Sequence, residues 1–548
     1  MIPAAVGNLA RLLPNRRDYA ELGSSWRRDI VAGVTVGVVA LPLALAFGIS
    51  SGVGAAAGLI TAVVAGLVAA VFGGSHVQVS GPTGAMAVIL APVVAQFGLA
   101  SVALVTVLAG VLVFAAGLIG LGRAVTFIPW PVIEGFTLGI AAIIFLQQVP
   151  AAVAQGTPAG TRTLSAASAA IIHIEWVSAV KTLGVVAIIA ISMVILPRLH
   201  RGIPESLTAV IVVTVVVAVF GISVASIGEL PSRLPTPVLP HADAGAMRTL
   251  VGAALAIAAL AAIESLLSAR VAATMAPTGP YDPDRELVGQ GLASIASGAF
   301  GGMPATGAIA RTAVNVRSGA RTRVSAIIHS LVLLAVVYLA TGPVSAIPLS
   351  ALAGVLMVTS FRMISVGTVR KILRSTRSDA LTFILTAVIT VCFDLVEAVE
   401  IGILVAAFFA LRAVARRSSV TREDLPEPYE PGDEQIALLR LDGAMFFGVA
   451  ERISSDIVDA HHPHTAVVII RMSQLGMLDA TGAHTLAQLS TELDARGITV
   501  IIKGVRREHM ELLTNVGVFE ALRHENHLLD SLDEAISHAR THVARQPH

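Results

Sequence analysis

The chain has 548 residues, of which 55% are hydrophobic and 13% charged, against about 25% charged in an ordinary soluble protein; with a mean hydropathy of +0.81 it reads as a polytopic membrane protein. A formal net charge of +1 provides no global field to capture a polyanion and gives nucleic acid no support as a partner. Cys392 is the single cysteine, which rules out an intrachain disulfide and reads as a buried apolar residue near a helix end.

The first 28 residues carry Arg11, Arg16, Arg17, Arg27 and Arg28. No apolar run long enough for a signal peptide precedes them, so 1–28 reads as an uncleaved cytoplasmic segment. From about Ile30 to about Leu411 apolar runs recur at lengths approaching the roughly 20 residues that cross a bilayer. Breaks at Gly48 to Gly54, Gly73-Gly74, Gly98 to Ser101, Gly122-Arg123 and Pro197 to Pro204 divide them, predicting about fourteen transmembrane segments over 29–413. The segments starting at Gly81 and Ala305 are too short to span alone. In a fourteen-segment count, Arg123, Arg198, Arg201, Arg317, Arg321, Arg323, Arg370, Lys371 and Arg412 all fall on one side. The opposite loops, Ser50 to Ala57 and Asp394 to Glu400, are nearly bare of basic residues. That asymmetry predicts both termini in the cytoplasm of an inner (plasma) membrane. Residues 414–434 read as a polar linker holding Arg422-Glu423-Asp424-Leu425-Pro426. Beyond it, 435–548 read as a small cytoplasmic α/β domain: strand-like Gln435 to Leu441, Ala466 to Arg471 and Ile498 to Lys503 alternate with helix-like Glu451 to Ala460, Ala480 to Ala495 and Arg507 to Val516.

The membrane region repeats itself. Thr83-Gly84-Ala85-Met86-Ala87, after Gly81-Pro82, returns as Thr306-Gly307-Ala308-Ile309-Ala310, after Gly301-Gly302-Met303-Pro304, at an offset of 223 positions. The same offset carries Leu41-Pro42 onto Glu264-Ser265, and Ile128-Pro129 is echoed more loosely by Ile347-Pro348. Seven segments per half invert the second half, because an odd number of crossings reverses direction. Matching short, Gly/Pro-interrupted segments in two inverted halves mark the substrate site of a secondary transporter near the midplane. Each short-helix start presents about half a positive charge, so Ser80, Thr83, Gly84 and Ala85 with Thr306, Gly307, Ala308 and Ala310 form a candidate anion site.

Arg311 stands where the first copy has Val88. An arginine in an apolar helix costs about 2.5–3.5 kcal/mol on insertion scales, which makes a substrate role its default reading; a cytoplasm-facing position is the alternative, because Asn315 and Arg317 follow. Glu264 is the only acid in Ala258 to Leu267. It reads either as a coupling group, with Ser265 and Ser268 beside it, or as a salt-bridge partner that neutralises Arg311. Ser80, Thr83, Ser265, Ser268 and Thr306 offer hydroxyls to an oxyanion or to their own backbone. Gln147 and Gln148 line the cavity or cap a helix end, and Glu134 lies at a cytoplasmic boundary.

In these residues the chain resembles the sulfate permease (SulP) family, related to the eukaryotic solute-carrier anion exchangers. The resemblance rests on Asp29 to Thr35, Ala40 to Gly48, Ser80-Gly81-Pro82-Thr83-Gly84, Ile128 to Ile133, Arg285-Glu286-Leu287-Val288-Gly289-Gln290-Gly291 and Gly301 to Gly319. It implies an α-helical seven-plus-seven inverted repeat with core and gate bundles, a homodimer, and elevator-like transport of anions such as sulfate, bicarbonate, chloride or dicarboxylates, with no resident cofactor or metal. The C-terminal region resembles the STAS domain, similar to anti-sigma-factor antagonists, which implies a cytoplasmic regulator as a partner. Asp479 and Thr481 match the loop in which antagonists are phosphorylated, or they simply cap the helix that starts there. The family includes sodium-coupled bicarbonate symporters in which an acid equivalent to Glu264 helps hold sodium. A fixed cation such as Arg311 beside sodium is electrostatically costly, which favours a co-transported proton or anion exchange. Rival readings are a nucleobase permease of the same architecture and a membrane-anchored anion-sensing regulatory protein. No paired carboxylates, metal-ligand cluster or nucleophile–base spacing suggests an enzyme, and His461, His462 and His464 read as a solvated loop.

Overall fold

Apolar stretches free of breakers wind into long helices, and the Gly/Pro breaks divide them. The computed structural model describes residues 12–123, 129–156, 163–199, 204–238, 240, 244–276, 278–392, 401, 404–405, 407–409, 411–412, 415, 418–446, 450–460, 464–522 and 527–545. Two units separate at Ile403 and Leu404. The first contains α1 (Leu22–Ser50), α2 (Ala55–Phe72), β1 (Ser80–Gly81), α3 (Gly84–Phe97), α4 (Ala100–Leu118), α5 (Trp130–Ala152), α6 (Thr163–Ile172), α7 (Trp176–Leu199), α8 (Glu205–Val219), α9 (Ala244–Met275), α10 (Pro283–Ala299), β2 (Thr306–Gly307), α11 (Ile309–Arg317), α12 (Val324–Leu339), α13 (Thr341–Ser345), α14 (Leu349–Met363), α15 (Val366–Leu373) and α16 (Arg377–Cys392). Among the described residues seven helices are long and apolar enough to cross a membrane. Val177, Val219 and Leu339 stand exposed on the helix surfaces, an arrangement that a hydrocarbon solvent stabilises. The last expected segment, around 393–411, lies mostly outside the described residues.

Three boundaries differ from the sequence reading. The first helix starts at Leu22, inside the expected cytoplasmic segment. Its polar turn is tolerated because the Asp29 carboxylate accepts bonds from Ser25 Oγ, the Arg321 and Thr322 amides and Thr322 Oγ1. The short helices start at Gly84 and Ile309 instead of Gly81 and Ala305, because the residues before them are extended and pair as strands. Cys392 ends α16 exposed, not buried.

Packing follows an exchange rule. α1 packs on α12, and its counterpart α9 packs on α4; α2 also packs on α12, as its counterpart α10 packs on α4. The equivalent helices α2 and α10 touch each other, as do α5 and α14. A contact set that survives swapping the halves is what an inverted repeat produces. The result is two bundles: α1–α4 with α9–α12, and α5–α8 with α14–α16. Each bundle takes helices from both halves of the sequence.

The second unit holds β3 (Ser419–Glu423), β4 (Ile436–Met445), α17 (Ala450–Ala460), β5 (Val467–Arg471), β6 (Leu475–Leu478), α18 (Ala480–Ala495), β7 (Thr499–Lys503), α19 (Arg507–Asn515), β8 (Leu528–Leu529) and α20 (Leu532–Val543). The strand order is β3-β4-β5-β7-β8, with β6 also pairing β4; β3 is antiparallel to β4 and the other pairs are parallel. Period-two alternation splits the core. Ala437, Leu439 and Leu441 face α17, α18 and α19, while Ile436 and Leu438 face Ala535, Ile536 and Ala539 of α20. Strand β3 falls in the stretch read as linker. Its charged residues, Arg422 and Glu423, suit a sheet edge and disguise the strand.

Candidate functional site

The two broken helices begin at one place because the strands before them cross. β1 and β2 are antiparallel, with Ser80 opposite Gly307 and Gly81 opposite Thr306. Gly307 permits the close crossing: a Cβ there would lie 1.9 Å from Gln78 Nε2 and 2.9 Å from Ser268 Cβ. Thr83 is the N-cap of α3 and Ala308 that of α11. Each helix therefore turns first-turn N–H groups, those of Gly84 and Ala85 among them, toward the crossing without an intrahelical acceptor.

The echoed threonines meet there. Thr306 Oγ1 lies 3.0 Å from Thr83 Oγ1. Glu264, reaching in from α9, places Oε2 2.8 Å from each hydroxyl. A hydroxyl has one proton, so an ionised Glu264 takes the donor of both threonines. Gly84 abuts Ile144 of α5, whose Cδ1 would sit 2.2 Å from an added Cβ, so the start of α3 lies against the second bundle. On α11, Ile309 and Ala310 are exposed while Arg311 is buried. That first turn is open on one side.

Arg311 is 2% exposed, which removes the cytoplasm-facing alternative. Its Nη2 donates to the Pro82 carbonyl at 2.5 Å. Its Nη1 is buried with no hydrogen-bond partner among the described residues. No ion pair joins Arg311 to Glu264 among the described residues, so the salt-bridge reading of Glu264 gives way to the threonine pair. Three hydroxyls expected to face a substrate or coupling ion also bond within the fold: Ser80 Oγ accepts from Gln290 Nε2 at 2.5 Å, Ser265 Oγ from the Gly307 amide at 3.1 Å, and Ser268 Oγ lies 3.2 Å from Thr312 Oγ1. They brace the crossing from behind, because Gly307 and α11 must be held against α9.

Sequence reasoning passed over the polar layer around the crossing. Glu286 accepts from the Gly74 and Ser75 amides and from Gln78 and Gln290 side chains. Thr312 Oγ1 accepts from the Val79 amide, and Asn315 donates to the Val77 carbonyl. His329 is fully buried, with both ring nitrogens unpartnered among the described residues. The available signal was the i, i+4 spacing of Glu286 and Gln290, which puts both on one helix face.

Away from the crossing, Gln147 accepts from Ser50 Oγ at 2.9 Å and Gln148 donates to it at 3.2 Å, linking α5 to the end of α1 across the two bundles. Glu134 accepts from Trp130 Nε1 at an exposed position. In the second unit, Asp479 caps α18 by accepting from the Gly482 amide at 2.8 Å, and Thr481 is exposed on the first turn. His464 is exposed, whereas His461 and His462 lie outside the described residues.

Residues 26–386 match the model of the sulfate permease family, and 430–535 match the STAS domain. A putative sulfate transporter of Bacillus subtilis, YvdB, is 34% identical over 523 residues, covering 93% of this chain and 97% of its own. The bicarbonate transporter BicA of Synechocystis is 32% identical over 537 residues, covering 93% and 94%. The solved transmembrane domain of a cyanobacterial BicA has a TM-score of 0.63 at 34% identity and covers 69% of this chain and 98% of that one. The murine anion transporter Slc26a9, solved in its inward-facing state, has the same fold: TM-score 0.84 at 17% identity, covering 98% and 95%. With the inverted repeat, the crossed helix starts and these matches together, the chain belongs to the sulfate permease family and carries a C-terminal STAS domain.

Proposed function

We propose that this protein is a secondary transporter that moves small oxyanions of the sulfate, bicarbonate or dicarboxylate class across the inner membrane. In this reading it is a homodimer with both termini in the cytoplasm, driven by protons or by exchange. The observation that carries it is the convergence of the α3 and α11 starts, Thr83, Thr306 and Glu264 on one point. The main-chain amides of Gly84, Ala85 and Ala310 supply partial positive charge for the anion, while that of Ala308 is spent on the Val79 carbonyl at 2.8 Å. Arg311 supplies a full charge and, at Nη1, an uncommitted donor.

Glu264 is the coupling group. Ionised, it cancels Arg311 and occupies the two threonine hydroxyls; protonated, it leaves the crossing with a net positive charge and competes less with the anion for those donors. An anion and a proton therefore favour the same state, which is the thermodynamic content of symport. Ser265 and Ser268 position the crossing for this exchange. The first bundle carries the site past the second, with α5 as the surface it slides on. The STAS domain receives a cytoplasmic regulator, with Thr481 exposed beside the Asp479 cap.

Uptake of radiolabelled sulfate, bicarbonate and a dicarboxylate into proteoliposomes, at two pH values and with or without a sodium gradient, tests the reading. The expected result is uptake of an oxyanion, stimulated by an inward proton gradient or by a trans anion and indifferent to sodium. Binding without uptake would point to an anion-sensing receptor, and uptake of a nucleobase alone to the other permease class. A second reading, sodium symport, is favoured by the three oxygens of Thr83, Thr306 and Glu264 lying within about 3 Å of one another, the donor type of a hard cation. An obligatory sodium requirement would select it.

A further inference from the structure

Three imidazoles converge in the second unit, far in sequence from the helix crossing. His538 and His542 are four residues apart on α20, so both project from one helix face. His527 stands immediately before β8, the edge strand paired to β7. His542 Nε2 lies 3.3 Å from His527 Nε2 and 3.3 Å from His538 Nε2. Ligand atoms from all three residues fall within 4.8 Å of one another. His527 is 1% exposed, and the other two are half-buried.

The hub is what makes this more than a stack of rings. An imidazole Nε2 carries either one proton or one lone pair, so His542 Nε2 has a single group to share between two neighbouring nitrogens. A cation, by contrast, accepts one lone pair from each of the three rings. Two imidazole nitrogens on a tetrahedral Zn²⁺, at about 2.0–2.1 Å each, stand about 3.3–3.4 Å apart, which matches both close pairs. Imidazole donors select borderline transition metals over calcium or magnesium. The half-buried side leaves the fourth position to water.

We propose that His527, His538 and His542 bind a divalent transition metal, with zinc as the probe, and that the ion ties the edge of the sheet to the C-terminal helix. The ligands come from both sides of β8 and the two residues after it, so metal binding and the docking of α20 reinforce each other. This site is independent of the transport reading.

The test uses the full-length protein in detergent, purified without a polyhistidine tag and stripped with a chelator. Zinc binding is measured by calorimetry, and coordination by the visible absorption of Co²⁺. The expected result is one zinc per chain with micromolar or tighter affinity and a tetrahedral Co²⁺ spectrum. His538→Gln and His542→Gln should each weaken binding at least about tenfold, equivalent to about 1.4 kcal/mol. His484→Gln, altering an exposed histidine on α18, should leave it unchanged. Both ligand variants alter half-buried helix positions, and circular dichroism of each establishes that the domain is intact. Absence of binding to the wild-type protein, or equal binding by the His538/His542 double variant, would overturn the proposal and leave an edge-to-face histidine cluster.

Discussion

Thr83 and Thr306 have one proton each to give, and Glu264 stands where both can give it. Replacing Glu264 with Gln keeps an oxygen acceptor of nearly the same shape while removing the titrating group. Glu264→Gln should therefore flatten the pH profile of uptake to within about twofold between about pH 5 and 8, with less effect on anion affinity. A profile as steep as that of the wild type would remove Glu264 from coupling. Arg311→Gln removes the charge, the orphaned Nη1 and the Nη2 bond to the Pro82 carbonyl, because the shorter amide ends where the arginine Nε stands. Uptake should fall at least about tenfold, equivalent to about 1.4 kcal/mol, while size-exclusion behaviour stays that of the wild type. At this scale Arg311 and Glu264 were legible because a charge in an apolar helix is conspicuous. The Pro82 contact was not, since a carbonyl acceptor has no side-chain signature, and neither were the bracing roles of Ser80, Ser265 and Ser268, since a buried serine reads alike whether it faces a ligand or a neighbouring amide.

At the scale of elements, the site depends on two short helices beginning back to back. Their brevity was legible from the Gly/Pro breaks. The ladder that joins them was not, because two-residue strands have no period to detect. The same logic explains the C-terminal sheet, where β4, β5 and β7 open on continuous runs buried on both faces and were read within a few residues, while β6, β8 and the charged edge strand β3 were missed. The link between bundles makes a mechanical prediction. Ser50 belongs to α1 and Gln147 and Gln148 to α5, so their bonds must break if one bundle slides past the other. With Cys392 replaced by Ser, the pair Ser50→Cys and Gln147→Cys joined by a short bifunctional thiol reagent should arrest uptake, and a reducible reagent should restore it on cleavage. Undiminished transport by the cross-linked protein would exclude relative motion at that seam.

At the scale of the molecule, the N-terminal segment is fastened to the first bundle. Arg285 donates to both Asp18 oxygens, at 2.9 and 2.7 Å, and Arg323 Nη2 lies 3.6 Å from Oδ1. Burial alone would raise the Asp18 pKa, but the Arg285 bonds, the Asn15 amide and the Arg323 charge together hold it below the usual carboxylate range. Asp18→Asn leaves two guanidinium groups facing each other and should cost about 3 kcal/mol, measured as a fall in Tm. Because the folded pKa is depressed, the carboxylate's contribution is whole above about pH 4 and fades as pH falls through the lower folded value. The gap between variant and wild type should therefore be the same at pH 6 and pH 8 and close only in stronger acid. The repeat offset made the inverted architecture legible; the exchange of helices between halves follows only from three-dimensional packing. Since each bundle draws helices from both halves, a chain severed in the largely exposed stretch 231–233 would yield two fragments, neither owning a complete bundle. Produced separately they should be inert and poorly folded, and function should return only when both are made in the same cell, like two sheets of paper interleaved before either can stand.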